Sequence, residues 1–154
     1  MIKIMFVCHG NICRSPMAEF VMRDMLKKEG LNDKISVASS ATSREEIGNG
    51  VHHGTRRKLA EFGISTDGKA AVQLTKADYD KYDYIIGMDS YNIRNIHRII
   101  GNDNDSKIYK LLDFSHRGGD IADPWYTGDF NRTYEDVFEG CMGLLNQCKK
   151  DMSI

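Results

Sequence analysis

Cys8 and Arg14 stand six positions apart in the run Val7-Cys8-His9-Gly10-Asn11-Ile12-Cys13-Arg14-Ser15-Pro16. An apolar segment, Ile4-Met5-Phe6-Val7, leads into this run, and a helical pattern leaves it at Pro16. A loop between a strand and a first helical turn presents backbone N–H groups that together make an anion site. Arginine adds a planar fork that matches two phosphate oxygens at once. The same field favours the thiolate of Cys8 over its thiol, and the thiolate is the nucleophilic form. These residue types therefore suit attack by sulfur on a bound phosphate. Gly10 permits backbone angles that other residues avoid, and Asn11 tolerates the left-handed region while bonding neighbouring backbone. Ser15 is placed to donate a hydrogen bond to the sulfur, and His9 to offer its backbone N–H at the pocket mouth.

Transfer of a phosphoryl group to sulfur leaves an alkoxide or phenoxide that needs a proton. Asp123-Pro124-Trp125-Tyr126 is the best source of one. Proline pushes the residue before it into an extended form, which can aim Asp123 inward. Trp125 and Tyr126 can wall a slot for a phenyl ring. An Asp-Pro pair alone is an ordinary turn signal; beside the Cys8 loop it reads as a general acid. Asp120 is close in sequence but lacks the proline and the aromatics.

These groups need a scaffold, and hydrophobic periodicity supplies one. Strands are expected at 3–7, 35–39, 84–88 and 107–112. Helices are expected at 16–29, over Val51 to Phe62, from Asp89 or Ser90 to Ile100, and from about Thr133 to Lys150. Pro16 suits a first helical position, while Gly30, Gly63 and Gly101 suit helix ends. The last helix is expected to bury Tyr134, Val137, Phe138, Cys141, Leu144, Leu145 and Cys148. Alternating strands and helices predict an α/β fold with three layers: a four-stranded, parallel, open sheet with helices on both faces. Segment 113–130 is rich in Gly and Asp, lacks periodicity, and reads as a functional loop.

Bulk properties narrow the function. The 154 residues suit one domain, 1–154. Net charge is -1 with His neutral, and no basic stripe points to nucleic acid. Arg56-Arg57-Lys58, the densest basic cluster, reads as a solvated helix face, and so does His52-His53. No signal peptide and no membrane-spanning stretch is visible, so the reading is cytoplasmic, with the four cysteines as thiols. No His, Cys, Asp or Glu set has metal-ligand spacing, and no cofactor is implied.

The chain resembles the low-molecular-weight protein tyrosine phosphatase family. The family's C-x-G-N-x-C-R-S-P loop is matched by Cys8, Gly10, Asn11, Cys13, Arg14, Ser15 and Pro16, and its D-P-aromatic-aromatic loop by Asp123 to Tyr126. The resemblance covers essentially the whole chain, with Met88-Asp89 and Glu46-Ile47-Gly48-Asn49 as further matching segments. It implies a nucleophile at Cys8, a phosphate clamp at Arg14, and phosphate binding by the loop from His9 through Gly10, Asn11, Ile12 and Cys13 to Ser15. It implies that Ser39 supports Asn11 and that Asp123 is the acid. It also implies a reversible Cys8–Cys13 disulfide that shelters the nucleophile; a small packed residue is the bland alternative for Cys13. The chain departs from the family's pattern at Glu45, where a second aromatic wall often stands, at Lys69 in place of a basic ring, and at Val72 in place of an arginine.

The function expected from this is metal-independent hydrolysis of protein phosphotyrosine through a phosphocysteine, in a monomer or weak dimer. Inorganic phosphate or other oxyanions would fit the same pocket, with Glu45, Trp125 and Tyr126 as its rim. A branch acting on phosphoarginine carries threonine where this chain has Ile12. Related arsenate reductases carry an extra cysteine pair after the third strand, which is missing here; Cys141 and Cys148, seven apart on one helix, read as core. A phosphocysteine carrier or binding module is the rival from outside catalysis, and it would have no need of Asp123.

Overall fold

β1 (Ile2–Cys8) sends alternate side chains to opposite faces, as a strand must, and both faces are covered. Ile4, Phe6 and Cys8 enter one core of 23 buried residues; Met5 and Val7 enter another of 6. The computed structural model describes every residue, Met1–Ile154. β1 pairs in parallel with β2 (Ile35–Ala41) on one side and β3 (Tyr84–Gly87) on the other, and β3 pairs in parallel with β4 (Ile108–Lys110). The resulting order, β2-β1-β3-β4, is the four-stranded parallel sheet expected.

The larger core lies beneath α1 (Arg14–Lys28) and α6 (Phe130–Asp151), with Leu59 of α2 (His53–Ala60) joining it. The smaller one lies beneath α4 (Ser90–Ile100), flanked by the one-turn α3 (Asp78–Lys81). A further short helix, α5 (Pro124–Thr127), precedes α6. The chain leaves β1 towards β2 on one side and later returns to β3 on the other. The carboxyl end of β1 is thus beside the point where strand order reverses, the usual ligand crevice of open α/β sheets.

Several element boundaries differ from the sequence expectation. α1 begins at Arg14, so Pro16 is its third residue and not its first. The opening N–H groups of a helix lack intrahelical acceptors, so proline costs no ladder bond there either. Leu111 and Leu112 belong to a 3₁₀ turn, Leu111–Phe114, and not to the fourth strand. Both are buried, which explains why an apolar run looked like strand. α6 starts three residues early because the Asp129 side chain accepts the Arg132 N–H as an N-cap. Phe138 is 39% exposed on the helix surface rather than buried, its ring tilted 34° to that of Tyr134. Gly30 and Gly101 do take the positive φ, 69° and 87°, that ends a helix.

Candidate active site

Five residues separate the end of β1 from the start of α1, and they wrap the Cys8 sulfur. Asn11 makes the turn with φ 59°, the left-handed region that its side-chain amide tolerates. Gly10 does not need that region. Its value is space, since a Cβ there would stand 3.3 Å from Glu46 Cγ. The N–H groups of Gly10, Asn11, Ile12 and Cys13 donate to no acceptor within the chain. Four such donors at the head of a 15-residue helix make a concentrated positive field.

Cys8 is 3% exposed at the floor of this loop. The Ser15 Oγ lies 3.0 Å from its Sγ, and the Ser15 N–H donates to the same sulfur at 3.4 Å. Asn11 Nδ2 donates to Ser15 Oγ at 2.7 Å, which leaves the serine hydrogen two acceptors, the sulfur at 3.0 Å and the Ser40 carbonyl at 3.4 Å, of which the sulfur is the nearer. The same amide donates to Ser39 Oγ at 2.9 Å, and Asn11 Oδ1 accepts the Val72 N–H at 3.1 Å. Ser39 passes its own hydrogen to Glu19 Oε1 at 2.5 Å. Glu19 is buried, with Arg23 at 2.5 Å and Lys69 Nζ at 3.7 Å balancing its charge. Lys69 also donates to the Ser39 carbonyl at 2.9 Å. Burial lowers the Lys69 pKa, and the Glu19 charge opposes that shift. Lys69 thus occupies the place beside the serine network that the resemblance gives to a basic ring.

Arg14, 2% exposed, closes the other side of the loop. Its NH1 donates to Asp89 Oδ2 at 2.6 Å and to the Ile121 carbonyl at 2.9 Å. Its NH2 stands 3.4 Å from Asp123 Oδ2. Burial works against its positive charge, but the Cys8 charge and Asp89 outweigh it and raise its pKa above the ordinary value. Arg14 is thereby a fixed cation. Asp123 is extended (φ -77°, ψ 113°), as the following proline requires, and its Oδ1 accepts the Trp125 N–H at 3.0 Å. That bond caps α5, a helix inside the segment expected to be structureless.

Cys8, Arg14, Asp123, Trp125 and Tyr126 meet around one cleft of about 180 Å³, with His9, Gly10, Ile12, Cys13 and Glu45 completing its loop and rim. Asn11, Ser15 and Ser39 stand behind the loop and support it. Tyr126 is 84% exposed and Trp125 57%, as rim residues awaiting an apolar partner would be. Glu45 stands on the rim with its Oε2 2.5 Å from His9 Nε2. Val72 contributes only its backbone, and its side chain is half exposed. Cys13 is a buried neutral thiol: burial, then the Cys8 charge, push its pKa from 9.0 up to about 12. Cys141 and Cys148 are fully buried in the larger core.

Three functional residues escaped the sequence reading. Asp89 was expected at a helix start and within a family-like segment, with no role at the site; it caps α4 through the Asn92 N–H at 2.8 Å and also holds Arg14. Its signal was a carboxylate at the carboxyl end of a strand, where ligands bind. Glu19 was readable as an acidic residue among Met17, Ala18, Val21 and Met22 on an apolar helix face. Such a buried carboxylate needs partners. Glu46, which lines the cleft, left no signal beyond its place in a family-like segment.

Comparison with known proteins places the same groups in context. Residues 3–154 match the family model described as low molecular weight phosphotyrosine protein phosphatase. The Bacillus subtilis low molecular weight protein-tyrosine-phosphatase YfkJ is 42% identical over 156 residues, covering all of both chains. Its crystal structure superposes with a TM-score of 0.95 over 98% of this chain and 96% of that one. A low molecular weight protein tyrosine phosphatase from Streptococcus pyogenes is 44% identical, with TM-score 0.86 over 96% and 93%. A Drosophila arginine phosphatase is similar at 28% identity, TM-score 0.88, over 96% and 98%.

Proposed function

The chain belongs to the low molecular weight phosphotyrosine protein phosphatase family, and on that premise we propose how its own residues divide the hydrolysis of protein phosphotyrosine. The Cys8 thiolate attacks phosphorus in line, and the bond from phosphorus to the tyrosyl oxygen breaks. Asp123 gives its proton to the departing phenolate, so tyrosine leaves neutral. A phosphocysteine remains. Asp123, now a carboxylate, takes a proton from water as that water attacks phosphorus, and the thiolate leaves with its electron pair. Inorganic phosphate is the second product, and the acid is reset.

The observation that carries this reading is the ring of four unpartnered N–H groups, Gly10 to Cys13, around a sulfur that Ser15 already solvates with two donors. Three phosphoryl oxygens need donors that are in place before charge moves to them, and these N–H groups with Arg14 supply them. Ser15 stabilises the sulfur as attacker and again as leaving group. Trp125 and Tyr126 flank the phenyl ring. This reading takes residues 1–154 as one catalytic domain, a monomer or weak dimer of the cytoplasm, in which phosphate and other oxyanions compete for the pocket. No helix is long and apolar enough to cross a membrane.

Hydrolysis of para-nitrophenyl phosphate in excess chelator tests the reaction class. Turnover is expected, with a phosphoenzyme trapped by rapid acid quench, and Cys8→Ser should abolish turnover. Absence of turnover would favour a module that captures phosphoproteins without hydrolysing them. A panel of phosphotyrosine, phosphoarginine and phosphoserine substrates tests the leaving group. Ile12 on the cleft wall, where the phosphoarginine branch carries threonine, supports phosphotyrosine as the preferred member.

A further inference from the structure

A second cleft, of about 490 Å³, opens on the other side of Trp125, which lines both it and the catalytic cleft. His52, His53, Arg57 and Lys58 line this second cleft. In the sequence they read as solvated helix surface; in the fold they stand one indole away from the phosphate loop. The floor is built by close fit. The His52 ring stacks on Phe130 at 5.3 Å and on His53 at 4.2 Å, and meets Trp125 edge-on at 5.6 Å. A Cβ on Gly54 would lie 2.4 Å from the Phe130 ring, so only glycine lets that ring close against α2. The His52 N–H donates to the Ile12 carbonyl at 2.9 Å, which ties this floor to the phosphate loop.

Charge in the two clefts is distributed asymmetrically. Lys58 is occupied, with Glu61 at 3.3 Å and the Phe62 and Tyr134 rings under its ammonium. Glu61, the acid that lines this cleft, is thereby neutralised. Arg57 is exposed and makes no hydrogen bond or ion pair with any side chain. The rim of the catalytic cleft carries Glu45 and Glu46 instead. The chain as a whole has a net charge of -1, so no general attraction draws acidic ligands.

We propose that the cleft behind Trp125 is a docking subsite for an acidic side chain of the phosphoprotein, within a few residues of the phosphotyrosine and on one flank of it only. The proposal rests on the phosphatase reading above. With the phosphotyrosine ring against one side of the indole, an extended substrate advancing ~3.4 Å per residue passes over the indole edge into this cleft. A Glu or Asp carboxylate there pairs with Arg57. On the other flank it would meet Glu45, held beside His9, which repels it.

The test uses one phosphotyrosine peptide with Glu or Gln placed in turn at each of the three positions before and after the phosphotyrosine. Glu should raise kcat/KM about three- to fivefold, the effect of an exposed ion pair, through KM and on one flank only. Arg57→Gln should erase that preference and Arg57→Glu should invert it, with hydrolysis of para-nitrophenyl phosphate unchanged in both. Equal kcat/KM for Glu and Gln peptides at every position would overturn the proposal. So would a preference that survives Arg57→Glu, or one of equal size on both flanks. Failure of the wild-type enzyme to hydrolyse para-nitrophenyl phosphate would instead overturn the phosphatase reading itself.

Discussion

One side-chain amide, that of Asn11, fixes the hydroxyls of Ser15 and Ser39 and the Val72 backbone together. Removing it in Asn11→Ala leaves buried partners unpaired, at about 1–3 kcal/mol, and places an alanine at positive φ. A lower melting temperature is expected. The loss should also reach kcat, because Ser15 is then free to turn its hydrogen from the sulfur to the Ser40 carbonyl, 3.4 Å away. A variant with a lower melting temperature and unaltered kcat would show that Ser15 orientation does not matter. Asp123→Asn keeps the size and the cap of α5 but cannot give up a proton. Its kcat/KM, which reports formation of the phosphocysteine, should fall roughly 10²–10⁴-fold, most for phenyl phosphate and least for substrates whose leaving group needs no proton. A uniform loss across leaving groups would remove Asp123 from the role of acid. Cys8, Arg14 and Asp123 were legible because their chemistry depends on neighbours in the chain: a six-residue reach and a following proline. Asp89 and Glu19 were not, because a partner 75 residues from Arg14, or 20 from Ser39, is set by tertiary approach.

The strands, and the helices long enough to hold a period, were readable; the helices of four residues were not. α3 and α5 have four residues each, barely one turn: α5 owes its shape to a cap, Asp123 accepting the Trp125 N–H, while α3 has no side-chain cap and its first residue, Asp78, accepts the Thr75 N–H of the preceding turn. Glycines inside α6 tell more than its apolar stripe. Gly140 faces Leu111 and Gly143 faces the Phe114 carbonyl, so α6 lies directly on the 3₁₀ turn. A Cβ at Gly143 would fall 1.9 Å from Phe114 O, which is backbone and cannot swing aside. Helix propensity alone predicts that Gly143→Ala stabilises by about 1 kcal/mol. Overpacking predicts the opposite sign, about 1–3 kcal/mol of destabilisation. The second effect should win, with a melting temperature lower by several degrees in a chain of this size. A rise would mean that α6 can lift off the turn at little cost.

For the whole molecule, the alkaline limit of stability follows from thiols held away from water. Burial pushes Cys13 and Cys148 from 9.0 up to about 12 in the folded chain, and Cys141 upward as well. Below pH 9 folded and unfolded chains both keep these protons, so the contribution is fully present. Between about 9 and 12 the unfolded chain sheds protons that the folded chain retains, and stability falls as pH rises. Thermal melts from pH 8 to 11 should show this decline, and Cys148→Ala should flatten part of it. An unchanged slope in that variant would assign the decline to other groups, such as Tyr84, which burial and Asp151 also push upward. The layered fold was legible because each β1 residue alternates between two cores. Their unequal size, 23 buried residues against 6, was not, since it depends on which helices cover which face.

That inequality bears on how the enzyme fails. Asp89 belongs to two structures at once, closing the first turn of α4 over the smaller core and gripping Arg14 across the pocket. Warming that frays this thinner half would free the guanidinium while the sulfur and its serine stayed rooted in the thicker one. The first symptom of heat would then be a slackened hold on inorganic phosphate, visible as a rising inhibition constant, well before the thiol became open to alkylation.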